Sequence, residues 1–279
     1  MVEMHFWMLG VLFEPQYSYG RIVLTKFFTF ISIFDDIYDS YSTLEESNLL
    51  TMAMEKWDEQ AAEQLPGYMK FLYSKVLATM KAIEKDLDSQ GNKHADYVKE
   101  LLIDATKCYY NEAKWHEESD TLVTVDEHLR FSVPSSCCMH VACLAFVVIG
   151  VSRDSIEWGM TYPKIMQASC IIGRVMNDVA SHEVTYLQLN VMSTVEACME
   201  ENNYTEEEAY RKLKELIEES WIDIIEEHLK EAVGRPTTPI LEAVLNSTRM
   251  LDFLYKDKDA YTDPRALKVV VDSIYVNHI

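Results

Sequence analysis

Three aspartates lie close together in the sequence Asp35-Asp36-Ile37-Tyr38-Asp39, directly after a long apolar segment. In a helix Asp35 and Asp39 project from one face about one turn apart, whereas Asp36 lies off that face. Like charges at this spacing disfavour a helix, and at a helix C-terminus they also oppose the macrodipole. A cation would offset this repulsion, and hard oxygen ligands select Mg²⁺ or Mn²⁺. The cluster therefore predicts a metal site, with a solvated acidic helix end as the alternative.

A second, weaker set of oxygen donors lies much later in the chain, at Asn177 and Ser181. These two residues again stand four apart, so their side-chain oxygens could share a cation. Arg174 lies one turn earlier on the same face and is a candidate ligand for a diphosphate. Because both sets follow apolar segments, we expect two buried helices to present their polar turns to one pocket. Taken alone, the second pattern more often marks a polar helix end.

Charge and cysteine content narrow the class of protein. The 279 residues carry a formal net charge of −21, which excludes nucleic-acid binding and disfavours acidic membrane surfaces. No signal peptide is expected, and the longest apolar run, residues 141–151, is predicted to be too short to span a bilayer. The cysteines have no zinc-type spacing and are predicted to be buried free thiols in a reducing compartment: Cys108, Cys137, Cys138, Cys143, Cys170 and Cys198.

The elements that position these donors are predicted to be helices, because only 8 Gly and 7 Pro punctuate the chain. Pro134 should kink or break the helix that contains it. The sequence indicates one all-α domain over residues 1–279, without linkers or repeats. Its roughly ten helices are predicted near residues 1–10, 21–39, 44–57, 69–87, 94–116, 125 onwards, 153–158, 164–186, 205–233, 240–255 and 263 onwards.

The two motifs, in this order and separation, resemble those of the plant terpene synthases. Within that family the chain is similar to the sesquiterpene branch, whose members cyclise farnesyl diphosphate in the cytosol. The resemblance implies a class I terpenoid synthase helical bundle with a central apolar active-site cavity. Further matching segments are Phe6-Trp7-Met8-Leu9-Gly10, Glu14-Pro15-Gln16-Tyr17-Ser18, Leu65-Pro66-Gly67-Tyr68-Met69 and Asp259-Ala260-Tyr261-Thr262.

The resemblance implies three Mg²⁺ ions that hold the diphosphate of the substrate. Asp35 and Asp39 would be direct ligands of two ions, with Asp36 in support. Asn177 and Ser181 would be ligands of the third.

The resemblance also implies roles for residues that face the substrate. Arg174 would contact the diphosphate and act with the aspartate ligands in its departure. Trp7, Tyr255 and Tyr261 match aromatic residues of the pocket, whose π faces can stabilise a passing carbocation. Asp259 matches an acidic residue that shapes the site. For each aromatic residue, a plain role in the core is the alternative.

Two departures from the family pattern bear on activity. The second motif of the family continues to a glutamate at the position of Thr185, and residues 186–188 lack the charged residues usual there. Glu183 is no substitute, because it lies some 240° around a helix from Asn177. The paired arginines and the amino-terminal helical domain of the family would precede the segments matched here, so the chain is expected to contain the catalytic domain only.

The expected function is that of a carbon–oxygen lyase acting on phosphates: Mg²⁺-dependent ionisation and cyclisation of farnesyl diphosphate by a cytoplasmic monomer. Neither nucleic acid nor membrane is an expected partner. Thr185 and the missing arginines favour the alternative of an inactive, diphosphate-binding remnant. A chain-elongating prenyltransferase fits less well, because its second motif is a D-D-x-x-D.

Overall fold

The computed structural model describes residues 2–118, 123–189, 192–230 and 238–276, and it describes only the backbone of residues 183–189 and of Pro264. Within these ranges the chain forms thirteen α-helices and no β-strand. The predicted all-α class is therefore confirmed. In chain order the helices are α1 Val2–Val11, α2 Ser18–Asp36, α3 Leu44–Lys56, α4 Gly67–Ser89, α5 Tyr97–Glu118, α6 Val125–Ser135, α7 Cys138–Ile149, α8 Arg153–Met160, α9 Lys164–Leu189, α10 Thr194–Asn202, α11 Glu206–Leu229, α12 Thr238–Tyr255 and α13 Lys268–Tyr275.

Short turns of other helical types join several of these helices. Pro15–Tyr17, Glu59–Gln64 and Pro264–Leu267 are 3₁₀ turns, and Ile37–Tyr41 is a π-helical turn that prolongs α2. The predicted helix of residues 21–39 therefore changes its winding inside the aspartate cluster. π-helical turns are rare and are found often at functional sites.

Helix α10 is the main element that the sequence prediction missed. Ser193 caps it, and the side chain of Glu196 accepts a hydrogen bond from the backbone N–H of Ser193 at 2.9 Å. This is a capping box, and the same arrangement begins α3 at Thr43 and α11 at Thr205, close to the predicted starts of those helices. The signal was therefore present, but the helix that follows it is only nine residues long.

The predicted break at Pro134 lies between α6 and α7. Pro134 occupies the last turn of α6, and Cys137 adopts a left-handed backbone conformation with φ of 56°. Proline cannot donate the helical hydrogen bond at its own position, and a left-handed residue ends the regular winding. The chain then resumes as α7, and α6 packs beside α9.

Helix α7 forms the centre of the core. It packs against α2, α5, α8, α9 and α12, and almost every side chain from Met139 to Val147 is buried. By length and composition the whole stretch Val125–Ile149 could cross a membrane, and it is longer than the run singled out in the sequence. However, 67% of its most apolar window is buried inside the fold, as core helices commonly are.

Gly159 of α8 is predicted to be required for the packing of α8 on α7. A Cβ atom at this position would lie 2.8 Å from Cys143 Sγ and 2.8 Å from Phe146 Cε2. We expect Gly159→Ala to lower the free energy of unfolding by about 1–3 kcal/mol, because a packed core must shift to admit the methyl group. Urea denaturation followed by circular dichroism measures this.

Gly67→Ala is the matched control, because a Cβ atom there meets nothing within 4 Å at the start of α4. Alanine also favours a helix more than glycine does. Its free energy of unfolding should be unchanged or slightly higher. Equal losses in the two variants would contradict the packing argument.

Candidate active site

A cavity of about 730 Å³ lies between the helices and is large enough for a small organic ligand. Helices α1, α2, α5, α6, α7, α9 and α12 contribute to its wall, together with the segment that follows α12. Every site residue predicted from the sequence lines this one cavity: Trp7, Asp35, Asp36, Asp39, Arg174, Asn177, Ser181, Tyr255, Asp259 and Tyr261. We call its carboxylates the acidic part and its group of rings the aromatic part; α2 contributes to both, through Asp35 and Phe28.

The π-helical turn Ile37–Tyr41 positions the acidic part. Tyr38 is buried, and its hydroxyl group is hydrogen-bonded to the hydroxyl of Thr51 on α3 at 2.7 Å. At the end of the turn, the Ser42 backbone N–H and hydroxyl both donate to the carbonyl of Ile37, at 2.9 and 2.8 Å. The Tyr38 bond joins the turn to α3, and the two Ser42 bonds close the turn itself. Asp39 thereby reaches the cavity wall from a backbone that is anchored on both sides.

Burial and neighbouring charges raise the pKa of two carboxylates of this cluster, those of Asp35 and Asp39. Burial raises the pKa of Asp35 to about 6; the Arg174 charge opposes this, and the Glu112 and Asp36 charges add to it. Burial, followed by the charges of Asp35 and Glu112, raises the pKa of Asp39 well above its ordinary value. Asp35 is half-buried and Asp39 is exposed, and both line the cavity. A cation in the cavity would relieve this repulsion.

Glu112 of α5 belongs to this cluster, and sequence reasoning missed it. The side chain is buried and lines the cavity, with the imidazole Nε2 of His116 4.0 Å from its carboxylate. Its position continues the buried face of α5 that includes Leu102, Ala105 and Tyr109. A carboxylate on the apolar face of an amphipathic helix is the signal that was available.

Arg174 of α9 carries the positive charge nearest to these carboxylates. Its Nε donates to the carbonyl of Ser132 at 2.9 Å, and one terminal nitrogen donates to Ser135 Oγ at 3.2 Å. The other terminal nitrogen lies 3.5 Å from Asp178 Oδ1. The guanidinium therefore joins α9 to the last turn of α6, which ends at the break described above.

Asp178 lies inside the second motif; it is buried at the border of the cavity and is hydrogen-bonded within the protein. Its Oδ2 accepts a hydrogen bond from the backbone N–H of Thr194 at 2.9 Å and another from the Thr194 hydroxyl, at the start of α10. His128 Nε2 lies 3.4 Å away. Burial would raise the pKa of Asp178, but His128 and Arg174 outweigh it and lower the pKa to about 2. Asp178 is thus an anion that holds α6, α9 and α10 together.

Asn177 and Ser181 lie on the cavity side of α9, as their spacing predicted. The Ser181 hydroxyl donates to the backbone carbonyl of Asn177 at 2.8 Å, so its oxygen lone pairs stay available to a cation. The backbone of α9 remains helical through Leu189, so position 185 follows one turn after Ser181. The side chains of Thr185 and Glu183 are outside the described residues, so the departure at position 185 stays a prediction.

The aromatic part of the cavity is a packed group of three rings. Trp7 stacks on Tyr261 with ring centroids 5.2 Å apart, and the edge of Phe28 meets both rings at 5.4 and 6.1 Å. The Tyr261 hydroxyl is hydrogen-bonded to Ser32 Oγ at 2.6 Å. Such rings offer both apolar contact and a negative π face to a cation.

Asp259 and Tyr255 complete this part of the wall. One carboxylate oxygen of Asp259 accepts hydrogen bonds from the backbone N–H groups of Tyr261 and Thr262, each at 3.0 Å. It therefore fixes the turn that holds the Tyr261 ring. Burial raises the pKa of Tyr255 well above its ordinary value, so its phenol stays neutral.

Comparison with known proteins connects this cavity to one family. Residues 1–223 match the terpene synthase family, metal binding domain. The chain is 48% identical over 282 residues to (E)-beta-caryophyllene synthase of Zea mays, covering 100% of this chain and 51% of the relative. It is 37% identical to valencene synthase of Vitis vinifera, covering 100% of this chain and 50% of the relative. The chain thus spans about half the length of the curated relatives that it matches.

Solved structures of similar proteins have the same architecture. Isoprene synthase from grey poplar leaves (Populus x canescens), in complex with three Mg²⁺ ions and dimethylallyl-S-thiolodiphosphate, superposes with a TM-score of 0.88 at 30% identity, covering 100% of this chain and 53% of that protein. Abietadiene synthase from Abies grandis gives a TM-score of 0.88 over 99% of this chain and 37% of that protein. At 22% identity the second likeness concerns the fold alone. The predicted helical-bundle class is confirmed.

Asp178→Asn is predicted to destabilise the metal-free protein strongly. The variant leaves the buried Arg174 guanidinium without its anionic partner, which should lower the free energy of unfolding by about 3–5 kcal/mol. Asp88→Asn is the matched control, because Asp88 is exposed near the end of α4; its effect should stay within about 0.5 kcal/mol. Urea denaturation of both variants measures the difference.

The same pair of proteins tests the pKa of Asp178. A depressed folded-state pKa contributes stability that is fully present above the unfolded value of about 4 and is lost as the pH falls toward about 2. The stability difference between the original chain and Asp178→Asn should therefore be constant above about pH 5 and shrink between about pH 4 and 2. A difference independent of pH over that range would contradict the assignment.

Proposed function

We propose, because this chain belongs to the terpene synthase family, that it catalyses the metal-dependent ionisation and cyclisation of farnesyl diphosphate with release of diphosphate. The observation that carries this proposal is that one cavity contains both an acidic part and an aromatic part. That combination suits a substrate with an anionic diphosphate at one end and an apolar chain at the other. The 48% identity to a sesquiterpene synthase supports a fifteen-carbon substrate.

The residues at the acidic part fit a divalent metal. Asp35 and Asp39 would hold it from α2 and the turn after it, and Asn177 and Ser181 would do so from α9. All four donors are oxygens, the ligand type that Mg²⁺ and Mn²⁺ prefer. The mutual repulsion of the carboxylates favours a bound cation, and Mg²⁺, with three ions as in the isoprene synthase complex, is the proposed cofactor. When bound, the metal supplies Lewis-acid assistance to the departure of diphosphate.

The protein side chains supply orientation at the diphosphate. Arg174 is held by Ser132 and Ser135, so its charge has a fixed place beside the acidic cluster. A fixed guanidinium contributes more to an anion than a mobile one, because little reorganisation accompanies the reaction. It would orient the diphosphate so that the carbon chain points toward the aromatic part.

The aromatic part would receive the allylic carbocation that forms when the carbon–oxygen bond breaks. The stacked Trp7 and Tyr261 rings line the cavity together with Phe28 and Asp259. Burial and then the Asp35 charge raise the pKa of Tyr261, so the acidic part acts on these rings. The Asp259 oxygen is engaged with two backbone N–H groups. The ring faces would thus shield the carbocation from water. Because both parts of the cavity are in place, the geometry argues against an inactive remnant.

Turnover of farnesyl diphosphate tests the proposal directly. Incubation of the chain with farnesyl diphosphate and Mg²⁺ should yield a terpene hydrocarbon detectable by gas chromatography. Asp35→Asn and Asp39→Asn should each lower turnover at least about 100-fold, because a loss of roughly 3 kcal/mol of transition-state stabilisation corresponds to about two powers of ten. Asp36→Asn is the matched control and should cost less than about tenfold. A chain that binds a diphosphate analogue but forms no product would contradict the proposed activity.

Restoring a carboxylate at position 185 should strengthen metal binding. Positions 177, 181 and 185 follow one another at single-turn intervals on α9, so a glutamate at 185 would face the same side as Asn177 and Ser181. We expect Thr185→Glu to lower the Mg²⁺ concentration for half-maximal turnover at least about tenfold. Thr185→Gln, of equal size but neutral, should leave it unchanged. The same shift in both variants would show that the negative charge is not the cause.

A further inference from the structure

A group of three potential metal ligands lies outside the cavity, between α5 and α7. It consists of Asp104 and Cys108 on α5 and His140 on α7, and one ligand atom from each lies within 4.8 Å of the other two. The imidazole Nε2 of His140 is 3.0 Å from Asp104 Oδ2. None of the three is among the described residues that line the cavity. We call this group the α5–α7 triad.

We propose that the α5–α7 triad binds one borderline transition-metal ion of the Zn²⁺ type, in a site separate from the cavity carboxylates. The ligand set is one oxygen, one sulfur and one nitrogen. Mg²⁺ selects oxygen-only surroundings, whereas thiolate and imidazole ligands select Zn²⁺ and its neighbours. Three protein ligands leave the fourth tetrahedral position to water, which is the arrangement of an open zinc site.

The helices hold the three ligands in place before any ion binds. Asp104 and Cys108 are four residues apart on α5, so both side chains project from one face of that helix. His140 belongs to the buried centre of α7, its side chain is 0% exposed, and α7 packs against α5. A site on two packed helices needs little rearrangement to bind an ion, and a ligand fixed in this way loses little entropy.

The triad is open to solvent on one side. The Asp104 side chain is 44% exposed, which gives an ion a path to the buried His140. The basic residue closest in sequence, Lys107, donates to Glu55 at 2.8 Å. The Asp104 carboxylate therefore faces His140 rather than an ammonium group.

Binding of an ion would join the two helices behind the cavity wall. On α5 that wall includes Tyr109 and Glu112, and on α7 it includes Cys138 and Val141. An ion that binds the folded chain alone stabilises it by an amount that rises with the logarithm of its concentration over its dissociation constant. The ordinary alternative is a histidine–aspartate hydrogen bond that joins α5 to α7, with Cys108 only packed beside it. A metal site and a simple histidine–aspartate hydrogen bond differ in one measurable property, which is coordination of an ion by the Cys108 sulfur.

Co²⁺ is the probe, because it occupies zinc sites and absorbs light. The chain is titrated with Co²⁺ in excess Mg²⁺, so that the cavity carboxylates are occupied by the oxygen-preferring ion. The expected result is one Co²⁺ per chain, with the near-ultraviolet charge-transfer band of a cobalt–thiolate bond and the intense visible bands of a four-coordinate ion. Absence of the charge-transfer band at saturating Co²⁺ would overturn the proposal.

Cys108→Ser and Cys198→Ser are the matched variants. Cys108→Ser should abolish the charge-transfer band and weaken Co²⁺ binding at least tenfold. Cys198→Ser removes a buried cysteine on α10, outside the triad, and should keep both. A band that persists in Cys108→Ser would assign the thiolate to another cysteine and overturn the proposal.

Asp104→Asn tests the oxygen ligand without disturbing the core, because Asp104 is partly exposed. It should weaken Co²⁺ binding at least tenfold while circular dichroism stays that of the original chain. Unchanged affinity in this variant would also overturn the proposal. None of these measurements depends on turnover of a diphosphate, so their outcome is independent of the proposed enzymatic function.

Discussion

The organisation of this protein depends on the repulsion among carboxylates at one end of its cavity. Asp35, Asp39 and Glu112 approach one another from α2, the turn after it and α5. Among the described residues that line the cavity, Arg174 is the only arginine or lysine. One guanidinium cannot neutralise three carboxylates, and burial raises the pKa of Asp35 and Asp39 further. The folded chain therefore keeps an anionic centre whose natural partner is a cation from solution.

The surrounding structure keeps that single guanidinium in place. The last turn of α6 packs beside α9, and its Ser132 carbonyl accepts from the Arg174 guanidinium as well as from the Ser136 N–H and the Ser135 hydroxyl. Asp178 closes the network by accepting from the first amide of α10. Residues of α6, α9 and α10 thus act as one unit around Arg174 and Asp178, which stand four residues apart on α9. Loss of either side chain would leave a buried charge or a helix end without its partner.

Local patterns of the sequence predicted most of the helices and the candidate metal ligands on α2, on the turn after it and on α9. The apolar segment before Asp35 and the four-residue spacing of its partners placed the first cluster, and the same spacing placed Asn177 and Ser181. Glu112 was missed because its role depends on the carboxylates that lie near it on other elements. Within the sequence of α5 it is one of several acidic residues. The π-helical turn at Ile37–Tyr41 was missed because its winding depends on bonds between Tyr38 and α3. Contacts across helices, rather than propensities within them, decide such features.

The acidic cavity also links cofactor binding to folding. Carboxylates held close together lower the stability of the empty fold, since each raised pKa measures a cost of keeping that group charged. A divalent cation that binds only the folded chain removes that cost and adds its own binding free energy. The stacked Trp7, Tyr261 and Phe28 rings contribute in the opposite way, because they gain from burial whether or not a ligand is present. The aromatic part is thus stable by itself, whereas the acidic part is completed by its cation. The acidic part is therefore the more sensitive to a missing metal ligand, such as the carboxylate expected at position 185.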